Sequence, residues 1–528
     1  MTKKILVTAT PPTTNGDLHL GHLSGPYLGA DVYTRAQKMM GNEVLFISST
    51  DDNQSYLMTK ALQENRSTIE VIEDYTRRIT KSLYEAQINM DGFTSPLNDK
   101  HISRVQQFFL KLYNEGKLET KVTPTCYCEA CEKFLFEAYV KGACPTCEKS
   151  AGGQFCEECG HPNDPVQMAD PVCALCGEKP VIRDLKGIWF PIEPYRQQLE
   201  NYYRENSGKW RPHLSRFFQE ILDYKELPAF LISNPSNWGI PVPLQEFEDQ
   251  VINVWFEMLP GHIQTTAVVE GHDEEKTEQW WSESADVRLV QFFGFDNSIY
   301  YVIYHTAMLL AHGEYRLADT FINNEFYLLD NKKFSTSRKH AIWGSEFFNE
   351  SNSDWLRYHL CLTGPEFEQT NFSVTEFEQT LEGETLKKWR SLCEKALTVL
   401  EESQSSVAPP GEQTGQWLDQ YNEQFLRCYG TEQFSLRQAA VTLASYVTEG
   451  SERVTESSNV NDVHAILRGL CLFSLPITPR FSGKLHALLY GEQKDHVWEL
   501  SPQVIPIIDL AQKNDVLASF SPVLLENR

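Results

Sequence analysis

The sequence lacks the hydrophobic segments that mark secreted and membrane proteins. No apolar run approaches the roughly 18 residues that a membrane-spanning helix needs. The chain also does not open with a basic stretch followed by an apolar one, as secretory leaders do. We therefore expect a soluble, cytoplasmic protein with no membrane partner. At 528 residues, the chain is long enough for two to four domains with substantial cores.

Basic residues are also scarce. The chain has 47 Lys and Arg against 72 Asp and Glu, which gives a formal net charge of −25. Proteins contact nucleic-acid phosphates through Lys and Arg, so this balance counts against nucleic-acid binding over the whole surface. A net charge does not describe local patches, however, and an acidic protein can bind RNA through one basic face.

The cysteines do not form the spread pattern of a disulfide framework. Nine of the thirteen lie between residues 126 and 176, and eight of these make four Cys-x-x-Cys pairs: Cys128/Cys131, Cys144/Cys147, Cys156/Cys159 and Cys173/Cys176. Each pair offers two thiolates to one tetrahedral ion, so the eight predict two zinc sites, and closed four-thiolate sites are structural. The alternative, reduced cysteines scattered in a core, fits poorly with the polar, Gly- and Pro-rich sequence around them. Cys126 is left over as a bystander.

A candidate phosphate site lies near the N-terminus. The apolar residues 5–9 predict a strand, after which His19-Leu20-Gly21-His22 opens a helical run to about Met39. A strand that leads through a Gly-containing turn into a helix N-terminus favours an anion, because free backbone N–H groups and the helix dipole both attract it. The two imidazoles add donors, and Gly21 has no side chain to block a flat ring from lying on the backbone.

A second candidate element, Lys333-Phe334-Ser335-Thr336-Ser337-Arg338, lies far along the chain. Its cations and hydroxyls are the groups that hold a polyphosphate. Either element alone is weak evidence, because a single His-x-Gly-His occurs by chance and a Lys- and Ser-rich loop is usually only solvated. The two together, in this order and setting, are specific.

The pair resembles the HIGH and KMSKS signatures of class I aminoacyl-tRNA synthetases. The surrounding sequence is similar to the methionyl-tRNA synthetase family in TPPTTNGDLHLGHLSGPYLGADVY (residues 10–33), VWFEMLPGHI (254–263) and KFSTSR (333–338). The resemblance extends over the whole chain and becomes thin after residue 380.

Together these features predict an α/β fold with a doubly wound, Rossmann-like parallel-sheet catalytic domain, a zinc-knuckle insertion and a C-terminal helical bundle. Residues 43–47, 251–256 and 287–293 are apolar runs expected to be further strands, and beyond 381 the pattern is helical with a break at 403–415. The expected divisions are 1–115 for the first half of the catalytic domain, 116–185 for the knuckles, 186–345 for the rest of the insertion and the second half, 346–380 for a connecting stem-contact segment, and 381–528 for the bundle.

The resemblance implies a two-step reaction that uses ATP, Mg²⁺ and an amino acid: formation of an aminoacyl-adenylate, then transfer of the acyl group to tRNA. In this reaction His19, His22 and Lys333 would stabilise the transition state, and Asp51 would hold the substrate's ammonium. ATP would be bound by Gly21, Asn15, Gly294, Asp296, Ser335, Ser337 and Arg338. The amino acid would be bound by Pro11, Thr13, Asp51, Trp255, His262 and Tyr301. The family's nested pairing implies that Cys144, Cys147, Cys156 and Cys159 share one zinc, and Cys128, Cys131, Cys173 and Cys176 the other.

Several positions depart from the family pattern. The second lysine of the KMSKS-like loop is Thr336, which we interpret as tuning rather than loss of the loop. In the amino-acid pocket, a family Leu-Pro-Tyr stretch becomes Pro11, Pro12 and Thr13, and a tyrosine becomes His262. An alanine becomes Met258 and a histidine becomes Tyr301. Such changes can move specificity away from methionine, although compensated drift would leave it unchanged.

The anticodon-reading positions depart further. Ser391 and Lys395 align with a family Asn and Arg, and residues 459–460 align with a Pro-Trp pair, which occurs nowhere after residue 381. Residues 381–528 carry 19 acidic against 13 basic side chains. The tRNA partner is therefore in doubt. The alternatives are a paralogue that activates another amino acid or uses a non-tRNA acceptor, and a non-catalytic ligand or RNA sensor. No additional C-terminal oligonucleotide-binding module is recognisable, so we expect a monomer.

Overall fold

A five-stranded, fully parallel sheet forms the centre of the protein in the computed structural model, which describes residues 2–334, 340–402, 408–490 and 513–520. Its strands, from edge to edge, are Thr320–Asn324, Val287–Gly294, Lys4–Ala9, Glu43–Ser49 and Gly92–Thr94. The inner strands are almost wholly buried, as expected when helices cover both faces. The predicted doubly wound α/β fold is confirmed. Its topological switch point lies between Lys4–Ala9 and Val287–Gly294, where such folds bind ligands at the carboxyl ends of the strands.

The helix after the first strand is broken rather than continuous. It consists of a turn at Leu20–His22, a wider π-helical segment at Leu23–Tyr27 and a regular helix at Leu28–Met39. Pro26 has no N–H to donate, and Gly25 leaves helical geometry with φ −95° and ψ −109°. A Cβ on Gly25 would lie 2.4 Å from Nδ2 of Asn324, so a glycine lets this segment approach the edge strand closely.

The remaining helices around the sheet are divided between the two halves of the doubly wound fold. They are Ser55–Glu64, Thr68–Glu85 and Asp99–Asn114 in the first half, and Val254–Val269, Glu274–Trp281, the π-helical Ile299–His305 and Thr306–His312 in the second.

The prediction of a sheet strand at residues 251–256 is wrong. Gln250–Ile252 pairs antiparallel with Ser233–Pro235 outside the central sheet, and a helix begins at Val254, where the side chain of Asn253 accepts the N–H of Trp255 at 2.9 Å. This helix is buried on all sides, so its first turn is a short apolar run that periodicity cannot distinguish from a strand.

The insertion is built on a long antiparallel ribbon, Glu119–Cys128 with Val181–Phe190, flanked by Lys133–Phe134 and Phe230–Leu231. Beyond the ribbon lies the cysteine-rich module, with a sheet of Ala169–Cys173, Val140–Ala143 and Ser150–Ala151 and a hairpin of Gln154–Phe155 and Pro162–Asn163. The helices Arg196–Asn206 and Pro212–Leu222 complete this region.

The C-terminal part is helical. Before the bundle, the chain forms a small sheet of Lys332–Lys333, Tyr327–Leu329 and Thr370–Phe372 and the helices Gly344–Phe347, Ser353–Thr363 and Val374–Glu382. The bundle contains Glu384–Glu402, Glu412–Cys428, Leu436–Arg453, Val460–Ser474, Pro479–Tyr490 and Lys513–Ala518. None of the helices in the described ranges has the length and apolar character needed to span a bilayer.

Arg357 joins the bundle to the part of the chain that contains the central sheet. Its side chain is fully buried and pairs with Asp31 at 2.7 Å. It also donates to the carbonyl oxygens of Ile477, Pro476 and Ala86, each at 2.8 Å. A buried guanidinium is tolerated only when its donors are satisfied, and these partners satisfy them. Arg357 thus links its own helix to Leu28–Met39, which carries Asp31, to the segment at Ala86 and to the segment at 476–477.

Candidate active site

The His19-Leu20-Gly21-His22 turn follows the first sheet strand and caps itself with its two imidazoles. Nδ1 of His19 accepts the backbone N–H of His22 at 3.3 Å, and Nδ1 of His22 accepts the backbone N–H of His19 at 3.4 Å. A neutral imidazole that accepts through one nitrogen donates through the other. Both rings are therefore fixed in the tautomer that carries its proton on Nε2, leaving two N–H donors for a ligand.

The two rings stack on each other and on the second signature element. Their centroids lie 3.6 Å apart with planes 13° apart, and Phe334 stacks on His19 at 4.7 Å. A Cβ on Gly21 would lie 3.0 Å from Nδ1 of His19 and 3.1 Å from Cδ2 of Phe334. Glycine at this position leaves room for the stack, and the stack brings the two sequence elements into contact.

Both histidines are neutral at physiological pH. Desolvation by the surrounding protein lowers the pKa of His22 to about 4. Burial, His22 and Lys333 hold the pKa of His19 well below its usual value. The pair thus acts as hydrogen-bond donors rather than as cations.

Lys333 supplies the positive charge beside this pair. Its Nζ lies 2.9 Å from Oε1 of Glu158, 4.0 Å from Oε2 of Glu157 and 4.5 Å from the ring centre of Phe326. Burial alone would lower the pKa of Lys333, but the carboxylates of Glu157, Glu158 and Asp296 outweigh it and the pKa is raised. The predicted residues Ser335, Ser337 and Arg338, together with Thr336, lie outside the described residues.

Two of the predicted ATP-binding residues, Gly294 and Asp296, lie at the carboxyl end of the strand Val287–Gly294. Gly294 ends Val287–Gly294, and a Cβ there would lie 2.7 Å from Oδ1 of Asp296. Burial raises the pKa of Asp296 to about 6, against the opposing influence of Lys333. Asn15 lies half-buried in the turn between the first strand and His19.

Asp51 lies at the carboxyl end of the second strand, in a group of acids. Its Oδ2 accepts the hydroxyl of Thr13 at 3.1 Å, and its buried Oδ1 has no partner among the described residues. Burial, followed by the charges of Glu257, Glu137 and Asp52, holds the pKa of Asp51 well above its usual value. Such a carboxyl would be returned to its charged form by a cationic ligand.

An aromatic wall closes the candidate amino-acid pocket. Trp255 stacks on Tyr300 with centroids 3.9 Å apart, and Tyr301 stacks on Phe293 at 4.4 Å. The hydroxyl of Tyr301 lies 3.5 Å from the sulfur of Met258, so the two substituted positions contact each other. Pro11 is buried in the turn after the first strand.

His262 is a fully buried polar group. It is 0% exposed, and neither ring nitrogen has a hydrogen-bond partner among the described residues. Burial, His305 and His101 lower its pKa to about 3, so it is neutral. The Nε2–H of His305 donates to the carbonyl oxygen of Trp255 at 2.7 Å, and its Nδ1 has no partner among the described residues.

Sequence reasoning missed several residues of this site. Glu257 is bound by the amide of Asn53 at 2.9 Å and by His101 at 3.0 Å, and Ser55 binds Glu137 at 2.8 Å. Glu257 lies in the same sequence block as Trp255 and His262, which was the available signal. The others come together only through tertiary folding.

The eight cysteines form two four-thiol clusters, grouped as the resemblance implied. One contains Cys128, Cys131, Cys173 and Cys176, and the other Cys144, Cys147, Cys156 and Cys159, with all sulfurs of a cluster within 4.8 Å of one another. The closest sulfur pairs lie 3.5 to 3.9 Å apart. A tetrahedral zinc with bonds near 2.3 Å requires sulfurs about 3.8 Å apart, so both clusters fit a zinc ion. Cys126 is buried and belongs to neither.

The chain is similar in sequence to a family of known proteins. A family model described as "tRNA synthetases class I (M)" matches residues 5–397. Proteins named methionine–tRNA ligase are similar to the chain. That of Methanobrevibacter smithii is 33% identical, over 71% of this chain and 56% of its own length. Those of Bacteroides fragilis and Thermoplasma volcanium are each 31% identical, over 80% and 77% of this chain and 62% and 75% of their own lengths. The chain thus spans less than two thirds of the length of the first two.

A solved structure shares the whole fold. Mycobacterium tuberculosis methionyl-tRNA synthetase bound by methionyl-adenylate superposes with a TM-score of 0.73, is 17% identical, and covers 96% of this chain and 99% of its own.

Proposed function

The chain belongs to the class I tRNA synthetases (M), and on that premise we propose that it activates an amino acid with ATP and transfers the resulting acyl group to tRNA. The observation that carries the proposal is the stacked pair of neutral imidazoles, whose Nε2–H groups have no partner among the described residues, beside the ammonium of Lys333. This arrangement suits a group whose negative charge grows during reaction, because the donors are already oriented.

In the first step the substrate carboxylate attacks the α-phosphorus of ATP, a P–O bond forms, and pyrophosphate leaves. His19 and His22 donate through Nε2 to the α-phosphate oxygens as negative charge builds on them. Lys333 stabilises the departing pyrophosphate. In the second step a ribose hydroxyl of the acceptor attacks the acyl carbon, and AMP leaves.

Asp51 binds the substrate's α-ammonium. Its Oδ1, which has no partner among the described residues, can accept a hydrogen bond, and the added cation lowers the pKa of this buried acid so that it ionises. Trp255 and Tyr301 enclose the side chain. Mg²⁺ accompanies the ATP phosphates, and each cysteine cluster holds one structural zinc, two in all.

Methionine is the first candidate substrate, because the named relatives act on it. A second candidate, an amino acid with a hydrogen-bonding side chain, is favoured by one observation. Neither ring nitrogen of His262 has a partner within the described part of the chain. A buried imidazole in that state costs about 1–3 kcal/mol, which a polar substrate group could recover.

The bundle gives little support to tRNA as the acceptor, because the residues aligned with the family's anticodon-reading positions make contacts inside the bundle. Lys395 donates to the carbonyl oxygen of Ser451 at 2.9 Å, and Ser391 lies 3.3 Å from the hydroxyl of Ser451, so both contact a neighbouring helix. Asn459 caps the helix Val460–Ser474 through the N–H of Asn461. A non-tRNA acceptor is therefore the alternative for the second step.

We also propose that the protein is a cytoplasmic monomer.

ATP–pyrophosphate exchange over a panel of amino acids, without tRNA, tests the proposal. Exchange with methionine supports the first candidate, and exchange only with another amino acid supports the second. No exchange at all would overturn the proposed activity and favour a ligand sensor. Charging of total tRNA with the amino acid so identified then tests the acceptor.

The affinity for ATP should depend on Asp296. Because burial raises its pKa to about 6, its carboxylate is present above that pH and lost as the pH falls through 6. We expect the Kd for ATP, measured by calorimetry, to rise by up to tenfold per pH unit below 6 in the wild type.

The terminal phosphate of ATP titrates in the same range, so the Asp296→Asn variant serves as the reference. It should bind ATP more weakly at pH 8 and show only the smaller pH dependence of ATP itself. Parallel pH curves for the two proteins would remove Asp296 from the ATP site.

A further inference from the structure

The hairpin that carries Cys156 and Cys159 lies on the candidate active site. Phe155, directly before Cys156, meets Trp255 and Tyr300 edge-to-face at 5.5 and 5.3 Å. The two residues between the cysteines, Glu157 and Glu158, reach in the other direction, to Lys333. One short segment of the knuckle module therefore contacts both the aromatic wall and the signature lysine.

Lys333 is held by this segment through several groups. Its ammonium donates to Oε1 of Glu158 at 2.9 Å and lies 3.5 Å from the backbone oxygen of Glu157. Oε2 of Glu157 is 4.0 Å away, and its Oε1 accepts the hydroxyl of Tyr56 at 3.3 Å. An ammonium has three donors and no acceptor. The side chain of Glu158 and the backbone oxygen of Glu157 thus occupy two of the three donors that would otherwise bind phosphate oxygens.

We propose that Glu157 and Glu158 form an acidic latch that holds the Lys333 side chain in the ATP-free protein and that the triphosphate of ATP must displace. The inference rests on the proposed function, since it concerns the same nucleotide site. It goes further by assigning the knuckle's two glutamates a part in setting the affinity for ATP.

Local geometry keeps the latch in place. The Cys-x-x-Cys turn puts both glutamates on one bend, and it closes where the N–H of Gly160 donates to the oxygen of Cys156 at 2.8 Å. Gly160 has φ +73°, a conformation that glycine adopts without strain. Because the turn already places the two carboxylates together, binding of the lysine requires little further loss of conformational entropy.

The charges oppose ATP in two ways. The carboxylates compete with phosphate for the ammonium, and they repel the phosphates of ATP. Because Glu157 and Glu158 are partly exposed, at 48% and 40%, solvent screens both effects. We therefore expect a modest change in affinity rather than loss of function.

Calorimetric titration of the zinc-loaded full chain with ATP tests the latch. The double variant Glu157→Gln, Glu158→Gln should bind ATP about three- to tenfold more tightly than the wild type. Its affinity for AMP, which lacks the β- and γ-phosphates, should change less. Glu148→Gln is the matched control, because Glu148 follows Cys147 of the same cluster and is exposed. This variant should bind ATP as the wild type does.

A second titration separates release of the lysine from simple repulsion. In a Lys333→Gln background, the same double substitution should tighten ATP binding by a clearly smaller factor, because no ammonium remains to be freed. Zinc content is measured in every variant to confirm that the knuckle is intact.

Unchanged or weaker ATP binding in the double variant overturns the latch, as does an equal effect in the Lys333→Gln background. Exchange activity is scored separately. Normal wild-type exchange without any response of ATP affinity rejects the latch alone. A clear response of ATP affinity without exchange for any amino acid rejects the proposed function alone.

Discussion

Replacing His19 with alanine is expected to lower the rate of ATP–pyrophosphate exchange by about 10²- to 10³-fold, the usual cost of removing one preoriented donor from a transition state. The variant loses the Nε2–H donor and the ring that lies between His22 and Phe334. The affinity for ATP should change less than the rate, because the donor acts mainly on charge that develops during reaction.

His19 has two functions that a second variant can separate. Its Nδ1 caps the turn by accepting the N–H of His22, and its Nε2–H is the donor that we propose for the α-phosphate. Asparagine is a good N-cap but does not place a donor at the Nε2 position. His19→Asn should therefore keep the stability that His19→Ala loses, about 1 kcal/mol, and still lose most of the exchange rate. His272→Asn, at an exposed position, is the control. Exchange within tenfold of the wild type in both His19 variants would contradict the role given to this residue.

The sequence predicted the parts of the fold that are governed by local pattern. Residues 5–9, 43–47 and 287–293 are strands of the parallel sheet because each is a short apolar run that can be buried on both faces. The run at 251–256 has the same composition but begins a helix. The difference comes from the cap at Asn253 and from burial of the whole helix surface, which a short window does not reveal.

The candidate site was predictable in residue type more than in chemical state. The spacing of His19 and His22 indicated two imidazole donors, but their neutrality and fixed tautomer depend on burial and on reciprocal caps that form only in the folded turn. Glu158 was not predicted at all. Its contact with Lys333 joins positions that are distant in sequence. The Cys-x-x-Cys motif also sets no requirement on the two residues between the cysteines, so the motif does not draw attention to them.

The second large effect concerns the two cysteine clusters, which should differ in their influence on catalysis. Cys131 and Cys147 are matched, because each is the second cysteine of the first pair in its cluster and each is half-buried. Serine at either position should lower the zinc content from about two ions per chain to about one, since a four-thiolate site loses most of its affinity with one ligand. Chelation of the wild type should release both.

Only loss of the Cys147 cluster should remove amino-acid activation. That cluster fixes Phe155 against the aromatic wall of the candidate amino-acid pocket, and a misplacement of about 1 Å near reacting groups can cost 10²-fold in rate. We therefore expect Cys147→Ser to lose exchange by about 10²-fold or more and Cys131→Ser by less than tenfold. Limited proteolysis should cut both variants within the module, showing that each has lost its local fold. If the two variants lost exchange equally, the position of the hairpin would not explain the effect, because the cluster that does not hold the hairpin would matter as much as the one that does.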